Sequence, residues 1–512
     1  MKRFLITSAV ILLAISCSRI DTVDVIPMPQ TVILTSRQTV ITSVSAPSEL
    51  LSEASALAQS VGVKVSDHAC SKGTVSLSID QSLPREGYVI KAGRRISVRG
   101  GSPVGVFYGV QTLIQEVRAY GGVKCGRIED APRYAWRGYM LDESRHFFGM
   151  EAVRQTLDMM ALYKLNKFHW HLTDSQGWRL EIRAYPALTA IGAVGNNSDS
   201  DAPAAFYTQD QVREIVAYAA ARHIDVIPEI DMPGHGASAT RSYPELGVGG
   251  AGSFAYNPGR ECVYEFFDTV LAEVAELFPY EYIHIGGDEV FLHEKDRWLS
   301  DPDISSLMER EGYESLQQVE ACFHRRIAPL AEKYCRKFIA WDDVLEMQDA
   351  KGCEKTVTWW RHDRPDHLCQ SLGEGYETIL CPRIPLYFDF VQDSLQTSGR
   401  SRWGKDHVAA TLEGVYDFPD SLYAALEAGT PTDAVIGMQA NLWSEVVRTA
   451  ERREYMTYPR LQALAESAWT EPSRKDYASF LSRLTPSLDL MDSQGIFYCD
   501  PRDFSHHPEP QI

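Results

Sequence analysis

Beyond residue 130, short apolar runs alternate along the chain with longer segments of mixed polarity. The short runs are apolar at successive positions, which is typical of parallel strands buried on both faces. In the longer segments the apolar residues follow a helical period, as Val153, Leu157 and Met160 do. The expected strands are Arg137–Leu141, Lys167–Leu172, Asp225–Ile230, Tyr282–Ile285, Lys337–Trp341, Thr356–Trp360, Thr378–Cys381 and Val435–Ala440.

This alternation predicts an α/β fold, a (β/α)8 TIM barrel over residues 131–490, followed by a C-terminal tail over residues 491–512. An open, doubly wound sheet is the structural alternative. That fold would place a Gly-rich phosphate loop after its first strand, and none follows Arg137–Leu141. A barrel brings its catalytic residues to the carboxyl ends of its strands, so we expect the chemistry there.

The part before the barrel has a different pattern. Val75–Ile79 alternates between apolar and polar residues, as a half-buried strand does, and Ser102-Pro103 is typical of a helix start. Residues 22–130 are therefore predicted to form a small α+β domain. The dipeptide Ala131-Pro132 marks its boundary with the barrel.

The first 17 residues have the pattern of an export signal. Lys2 and Arg3 precede an apolar run from Phe4 to Ile15, which is too short for a mature membrane-spanning helix. The run ends in small residues before Cys17, which resembles a bacterial lipoprotein cleavage site with Cys17 as the lipidated residue. A plain signal peptide is the alternative. We expect an exported protein, periplasmic or at the cell surface, anchored to a membrane only through this lipid.

The charge excludes one class of partner. Removing residues 1–16 deletes two basic residues and no acid, so the formal net charge of −19 becomes −21. Nucleic acid is therefore not an expected partner. Nine cysteines remain besides Cys17, with no Cys-x-x-Cys pair, so neither a zinc site nor a full disulfide framework is indicated. One or two disulfides remain open.

Polar and aromatic residues follow nearly every predicted strand, and the most informative are the adjacent acids Asp288 and Glu289. Two adjacent acids can simply cap the next helix. Their convergence with other such residues at one barrel face favours an active site instead. Tryptophan faces stack on pyranose rings, and carboxylates and Arg bind hydroxyls, so these residues favour a sugar site over a nucleotide site. A zinc site made of His169, His171, Asp174 and His235 is an alternative that the sequence disfavours, because the spacing does not match common ligand patterns.

Five motifs resemble the β-N-acetylhexosaminidases of glycoside hydrolase family 20, and the resemblance covers nearly the whole chain after the export signal. The family also has a small α+β domain before its barrel. The motifs are Arg137-Gly138 through Asp142 and Arg145-His146-Phe147; His169-Trp170-His171-Leu172-Thr173-Asp174; Pro228-Glu229-Ile230-Asp231-Met232-Pro233-Gly234-His235; Tyr282 to Val290 with the acid pair; and Gln439-Ala440-Asn441-Leu442-Trp443-Ser444-Glu445.

The resemblance implies a role for each matching residue. Glu289 is implied as the general acid/base, Asp288 as the residue that orients the substrate's 2-acetamido group, and Tyr387 as a hydrogen-bond donor to that group. The implied substrate-binding residues are Trp341, Trp360 and Trp443 as walls, Arg145, Asp389 and Glu445 for the sugar hydroxyls, and Asp174 and His235 as a network beside Glu289. The tandem Trp359-Trp360 leaves the family's tryptophan ambiguous by one position. Asp343 stands where many members have Glu and receives no role.

The acid pair also bears on mechanism. Ordinary glycosidases place two carboxylates across the scissile bond, whereas Asp288 and Glu289 are neighbours at one strand end. An internal nucleophile, the acetamide carbonyl of the substrate, is therefore expected, with an oxazolinium intermediate and net retention. No metal or other cofactor is expected.

The expected function is an exo-acting hydrolase that releases terminal β-linked N-acetylglucosamine or N-acetylgalactosamine from glycans. A non-catalytic glycan-binding lipoprotein on the same scaffold and a disaccharide-releasing hydrolase are the alternatives. The preferred sugar, the linkage and the oligomeric state remain open.

Overall fold

The computed structural model describes residues 20–66, 71–347, 356–393, 396, 408–427 and 429–511. The chain divides into two compact units. One comprises residues 29–130 with the segment before Val25, and the other comprises Val25–Met28 and residues 131–512. Cys17, the predicted lipidation site, lies outside the described residues.

The first unit contains a seven-stranded mixed sheet. Its strands are β1 (Thr31–Thr39), β2 (Ser43–Ser45), β3 (Lys64–Val65), β4 (Thr74–Ile79), β5 (Tyr88–Ala92), β6 (Ile96–Gly100) and β7 (Val123–Asp130), in the spatial order β1-β7-β5-β6-β4-β2-β3. Two helices accompany the sheet, Leu51–Val61 and Pro103–Tyr120. This is the α+β fold that the alternating strands predicted.

Helix Pro103–Tyr120 approaches the sheet closely at Gly109. A Cβ atom at that position would lie 2.5 Å from Cγ1 of Val98 and 3.2 Å from Cδ2 of Tyr88. Both neighbours are buried residues of the sheet. Glycine therefore lets the helix backbone pack directly on the strands, which a larger residue would prevent.

The second unit is a closed barrel of eight parallel strands, as predicted. The strands are β8 (Trp136–Asp142), β9 (Lys167–His171), β10 (Asp225–Glu229), β11 (Tyr282–His284), β12 (Lys337–Trp341), β13 (Thr356–Trp359), β14 (Glu377–Leu380) and β15 (Val435–Leu442). They follow one another around the barrel in chain order, and β15 pairs with β8 to close it. Each predicted strand overlaps one of these, with ends that differ by at most two residues.

Helices connect the strands. Those that the structure describes between β8 and β13 are Met150–Leu162, Ala187–Ala190, Gln209–Ala220, Ala237–Ser242, Glu261–Leu277, Val290–His293, Lys295–Ser300, Pro302–Glu311 and Leu316–Lys333. Those described after β13 are Pro365–Glu374, Arg383–Leu386, Leu412–Asp417, Asp420–Ala425, Ala450–Thr457, Arg460–Trp469, Tyr477–Arg483 and Thr485–Gln494. The last of them, Thr485–Gln494, spans the predicted boundary between the barrel, ending at residue 490, and the C-terminal tail, beginning at residue 491.

The barrel interior changes character along its axis. One cluster inside it is apolar and includes Trp136, Ile227 and Ile339. Two residues further along β10 than Ile227, and therefore on the same face, comes the fully buried acid Glu229. The interior thus becomes polar toward the carboxyl ends of the strands, where the predicted site residues lie.

Seven cysteines lie in the described part of the chain, and none of them forms a disulfide there. Within those same residues, no helix is long and apolar enough to cross a membrane.

Candidate active site

A cavity of about 350 Å³ opens where the barrel strands end. Residues that end or follow each of the eight strands line it, which is why residues far apart in sequence meet there. Ten of the eleven predicted site residues are in the lining: Arg145, Asp174, His235, Asp288, Glu289, Trp341, Trp360, Tyr387, Trp443 and Glu445.

The acid pair reaches the cavity through an unusual backbone path after β11. Gly286 and Gly287 have φ angles of 71° and 93°, and Glu289 itself has a φ of 59°, a conformation that residues other than glycine rarely adopt. A Cβ atom on Gly286 would lie 1.8 Å from Oδ1 of Asp231, so no larger residue fits. The side chains of Asp288 and Glu289 are 13% and 30% exposed, so both acids face the opening.

His235 places a positive charge beside both acids. Its Nε2 lies 3.5 Å from Oδ2 of Asp288 and 3.7 Å from Oε2 of Glu289, and its Nδ1 lies 3.0 Å from Oδ1 of Asp174. Burial by itself lowers the pKa of His235, but the carboxylates of Asp174, Asp288 and Asp231 outweigh it and raise the pKa well above its usual range. His235 is therefore an imidazolium that lies beside both acids.

Asp174 organises the polar side of the cavity. Its Oδ2 lies 2.6 Å from Nη2 of Arg145 and 3.1 Å from Nε2 of His171. Burial raises the pKa of Asp174, but Arg145 and His235 outweigh burial and hold the pKa well below its usual range. Asp174 is therefore a carboxylate that fixes the positions of the guanidinium and both imidazoles.

A buried layer behind Asp174 supports this arrangement. Nδ1 of His171 lies 2.6 Å from Oε2 of Glu229, and the indole N–H of Trp341 donates to Oε1 of Glu229 over 2.9 Å. Burial lowers the pKa of His171, but Glu229 and Asp174 raise it well above its usual range. Negative and positive side chains thus alternate from Glu229 through His171 and Asp174 to His235, which makes the burial of each charge tolerable.

Aromatic rings form another part of the lining. The rings of Trp341 and Trp443 are 5.9 Å apart, and those of Tyr387 and Trp443 are 6.0 Å apart. Trp360 stacks on Tyr387 at 6.2 Å, with only 14° between the ring planes. Burial raises the pKa of Tyr387 well above its usual range, so its hydroxyl keeps its proton and remains a donor. Aromatic faces beside charged donors and acceptors are the combination that a sugar ring requires.

Comparison with known proteins identifies the family. The family model described as "Glycosyl hydrolase family 20, catalytic domain" matches residues 134–472, and its domain 2 matches residues 22–131. The chain belongs to glycosyl hydrolase family 20.

Relatives and solved structures agree. A beta-hexosaminidase of Porphyromonas gingivalis is 37% identical over 458 residues, which cover 84% of this chain but only 57% of that relative. The GH20 beta-N-acetylhexosaminidase of Streptomyces coelicolor A3(2) superimposes with a TM-score of 0.81 at 29% identity, covering 97% of this chain and 99% of that one. A mutant beta-hexosaminidase of Streptomyces plicatus in complex with its product GlcNAc gives a TM-score of 0.80 at 29% identity, covering 94% of this chain and 97% of that one.

Asp389, which the family resemblance implies as a partner of a sugar hydroxyl, does not line the cavity. Its side chain is fully buried. It is close enough to Tyr387 and to the buried guanidinium of Arg460 to influence the pKa of each. Its contact with a sugar hydroxyl stays a prediction.

The structure decides between the tandem tryptophans. Trp360 lines the cavity, whereas Trp359 is 3% exposed and donates its indole N–H to the carbonyl of Arg364. The assignment of Trp360 from the sequence therefore agrees with the position of its ring in this family 20 barrel.

Asp342 and Asp343 are site residues that the sequence did not assign. Asp342 accepts the backbone N–H of Trp360 over 2.8 Å, and Asp343 accepts the indole N–H of Trp360 over 2.7 Å. The two aspartates therefore hold the tryptophan of the next strand by both of its donors. The sequence shows two adjacent aspartates directly after Trp341, but only the fold shows that Trp360 is their partner.

Within the described ranges, the four candidate zinc ligands do not form one cluster. His169 lies with Glu229 and His284, whereas His171 lies with Asp174 and Asp231. Oε2 of Glu229, which contacts Nδ1 of His171, also lies 2.9 Å from Nε2 of His169. His171 and His235 therefore belong to the buried charge network, whereas burial lowers the pKa of His169 to about 4 and keeps its ring neutral.

Proposed function

We propose that the chain is an exo-acting, retaining β-N-acetylhexosaminidase that releases terminal β-linked N-acetylglucosamine or N-acetylgalactosamine from glycans. The observation that carries the proposal is the pair Asp288 and Glu289 at the end of β11, facing a cavity walled by three tryptophans. Beta-hexosaminidases among the relatives, and a product-bound one among the similar structures, support the same substrate class.

The proposed first step uses the substrate's own nucleophile. Glu289 donates a proton to the glycosidic oxygen while the acetamide carbonyl oxygen attacks the anomeric carbon, so the leaving alcohol departs and a bicyclic oxazolinium ion forms. Asp288 stabilises the positive charge that develops on the acetamide nitrogen, and Tyr387 donates a hydrogen bond to the acetamide oxygen. The carboxylate of Glu289 then accepts a proton from the water that opens the ring.

The charged residues around Asp288 and Glu289 are consistent with these proposed roles. His235 is cationic, and its Nε2 lies 3.5 Å from Oδ2 of Asp288 and 3.7 Å from Oε2 of Glu289, so it helps to hold both side chains in place. Arg145 lines the cavity, and Asp174 holds its guanidinium in place. The guanidinium can therefore bind sugar hydroxyls without losing further conformational freedom.

An assay on aryl glycosides tests the function. We expect hydrolysis of 4-nitrophenyl N-acetyl-β-glucosaminide or the galactosaminide, and no release of a disaccharide from the corresponding aryl disaccharide. The inactive control is the double variant Asp288→Asn, Glu289→Gln. Sugar binding without hydrolysis of any substrate would favour the glycan-binding alternative, and disaccharide release would favour the other hydrolase.

We propose further that the chain is exported and tethered to a membrane through a lipid on Cys17. The support is the sequence alone, a basic start, an apolar run and a cysteine after small residues. Full-length protein expressed in a bacterium is expected in the membrane fraction, and Cys17→Ser is expected to release it or block its processing. Cys335→Ser is the matched control, because Cys335 is an exposed, unpaired cysteine of the barrel unit. Wild-type protein found wholly in the soluble fraction would leave only a plain signal peptide.

A further inference from the structure

The last described residues, 496–511, form a C-terminal segment that belongs to the barrel unit. Near its start, the backbone N–H of Phe497 donates to Oε2 of Glu454 over 2.8 Å. Near its end, the buried guanidinium of Arg452 donates to the carbonyl of Pro510 over 2.6 Å. The segment is therefore tied to the rest of the unit close to both of its ends.

Three side chains that can bind a metal converge where this segment passes helix Thr485–Gln494. Asp492 of the helix and the adjacent His506 and His507 of the segment each offer one ligand atom, and these atoms lie within 4.8 Å of one another. Nε2 of His506 is 3.0 Å from Oδ1 of Asp492, and the two histidine rings are 4.5 Å apart. Because 14 positions separate Asp492 from His506, only the fold brings the three ligands together.

The distances suit a transition-metal ion. Two ligands that lie about 2.1 Å from zinc, at a tetrahedral angle, are about 3.4 Å from each other. The 3.0 Å between His506 and Asp492 is close to that separation. These two side chains are 39% and 40% exposed, so small rotations can bring all three ligands to the distance that the ion requires.

His507 has an unused ring nitrogen. Its Nδ1 is buried and has no hydrogen-bond partner among the residues that the structure describes. The ring itself is held by its neighbours, at 4.6 Å from the ring of Phe497 and 4.8 Å from the ring of Tyr498. Since nothing at Nδ1 fixes the tautomer, the ring can present a neutral nitrogen to a metal.

Tyr498 orients the carboxylate of this cluster. Its hydroxyl donates to Oδ1 of Asp492 over 3.0 Å, and its ring lies 5.4 Å from the ring of His506. Hydrogen bonds to ligating carboxylates are a regular feature of metal sites, where they fix the direction of the ligand.

We infer that Asp492, His506 and His507 form a binding site for one divalent transition-metal ion of the zinc type, which fastens the C-terminal segment to helix Thr485–Gln494. Two imidazoles and a carboxylate are ligands that zinc prefers, whereas magnesium and calcium prefer oxygen ligands alone. Three protein ligands leave the remaining coordination positions to water. The site is separate from the proposed glycosidase chemistry, because none of its three residues lines the cavity.

The test is the number of Zn²⁺ ions bound per chain, measured by equilibrium dialysis on protein prepared without a polyhistidine tag. The wild type is expected to bind one ion more than the double variant His506→Gln, His507→Gln. Asp492→Asn is expected to weaken this site at least about tenfold, since removal of a residue that merely supports a metal ligand already costs that much. The difference between wild type and variant excludes ions bound at other side chains. An excess of Mg²⁺ should not displace the zinc.

Asp489→Asn is the matched control, because Asp489 is an exposed acid one turn earlier on the same helix and its change removes the same charge. It should bind as much zinc as the wild type. Without zinc, the double variant should unfold at the wild-type temperature, since an exposed ion pair contributes little to stability.

The fastening of the segment is measured as the rate of trypsin cleavage after Arg502, an exposed residue shortly before the two histidines. With free Zn²⁺ at ten times its dissociation constant, this rate should fall about tenfold in the wild type and stay the same in the double variant. Equal zinc content in wild type and double variant would overturn the metal site. Cleavage that bound zinc does not slow would overturn its role in fastening the segment.

Discussion

Glu289→Gln is expected to abolish most hydrolysis of natural glycans while sparing activated aryl glycosides. A sugar alcohol is a poor leaving group that needs a proton in the transition state, and general acid catalysis of this kind contributes about a thousandfold. An acidic phenol such as 2,4-dinitrophenol departs without that proton, so cleavage of its glycoside should fall far less. The measurement is kcat/KM of wild type and variant on chitobiose and on the dinitrophenyl glycoside.

Glu311→Gln is a suitable control, because Glu311 ends helix Pro302–Glu311 with an exposed side chain. It should change neither rate. Equal losses on both substrates in Glu289→Gln would show that Glu289 does not act as the acid.

The internal-nucleophile mechanism predicts the largest effect. An aryl β-glucoside, with a hydroxyl in place of the 2-acetamido group, is expected to react at least about ten-thousandfold more slowly than the matched acetamido glycoside, because it lacks the intramolecular nucleophile. The deficit should appear in kcat as well as in KM, since a lost reacting group raises the chemical barrier.

The variant Asp288→Asn is a second test of the internal-nucleophile mechanism. On the acetamido substrate it is expected to lower kcat by about a hundredfold to a thousandfold, because it removes the charge that faces the developing oxazolinium. It should matter little to any residual glucosidase activity. Asp296→Asn, a change to an exposed acid on the helix Lys295–Ser300, should leave both activities unchanged. Comparable kcat values on the two sugars, or a glycosyl ester trapped on a protein carboxylate, would contradict the mechanism.

The acid pair shows what a few adjacent residues can predict about local structure. Two glycines followed by two acids after a short apolar run predicted a strand end facing a ligand, and the structure gives both glycines positive φ angles at that place. Sequence could predict this because the conformation depends on a few adjacent residues. The barrel strands were predictable for the same reason, since an apolar run reports burial of its own segment.

Contacts between distant segments were not predictable in this way. The indole of Trp360 is held by Asp343, 17 residues earlier, and Trp341 donates to Glu229 across 112 positions. The residue types were visible in the sequence, but nothing in the local pattern of either partner specifies the other. Likewise the resemblance to the family placed Asp389 among the sugar-binding residues, while the structure places its side chain in full burial.

The sequence by itself indicated the eight barrel strands, the (β/α)8 arrangement, and the identity of the acids, tryptophans and charged residues at the strand ends. These follow from hydrophobic periodicity and from motifs of adjacent residues. Only the tertiary structure decided that Glu229, His171, Asp174 and His235 form a row of alternating charges, and that the ring of Phe254 lies beside His235. The physical reason is that closure of the barrel sets the distances between strand ends, and those distances determine which charges and rings are neighbours.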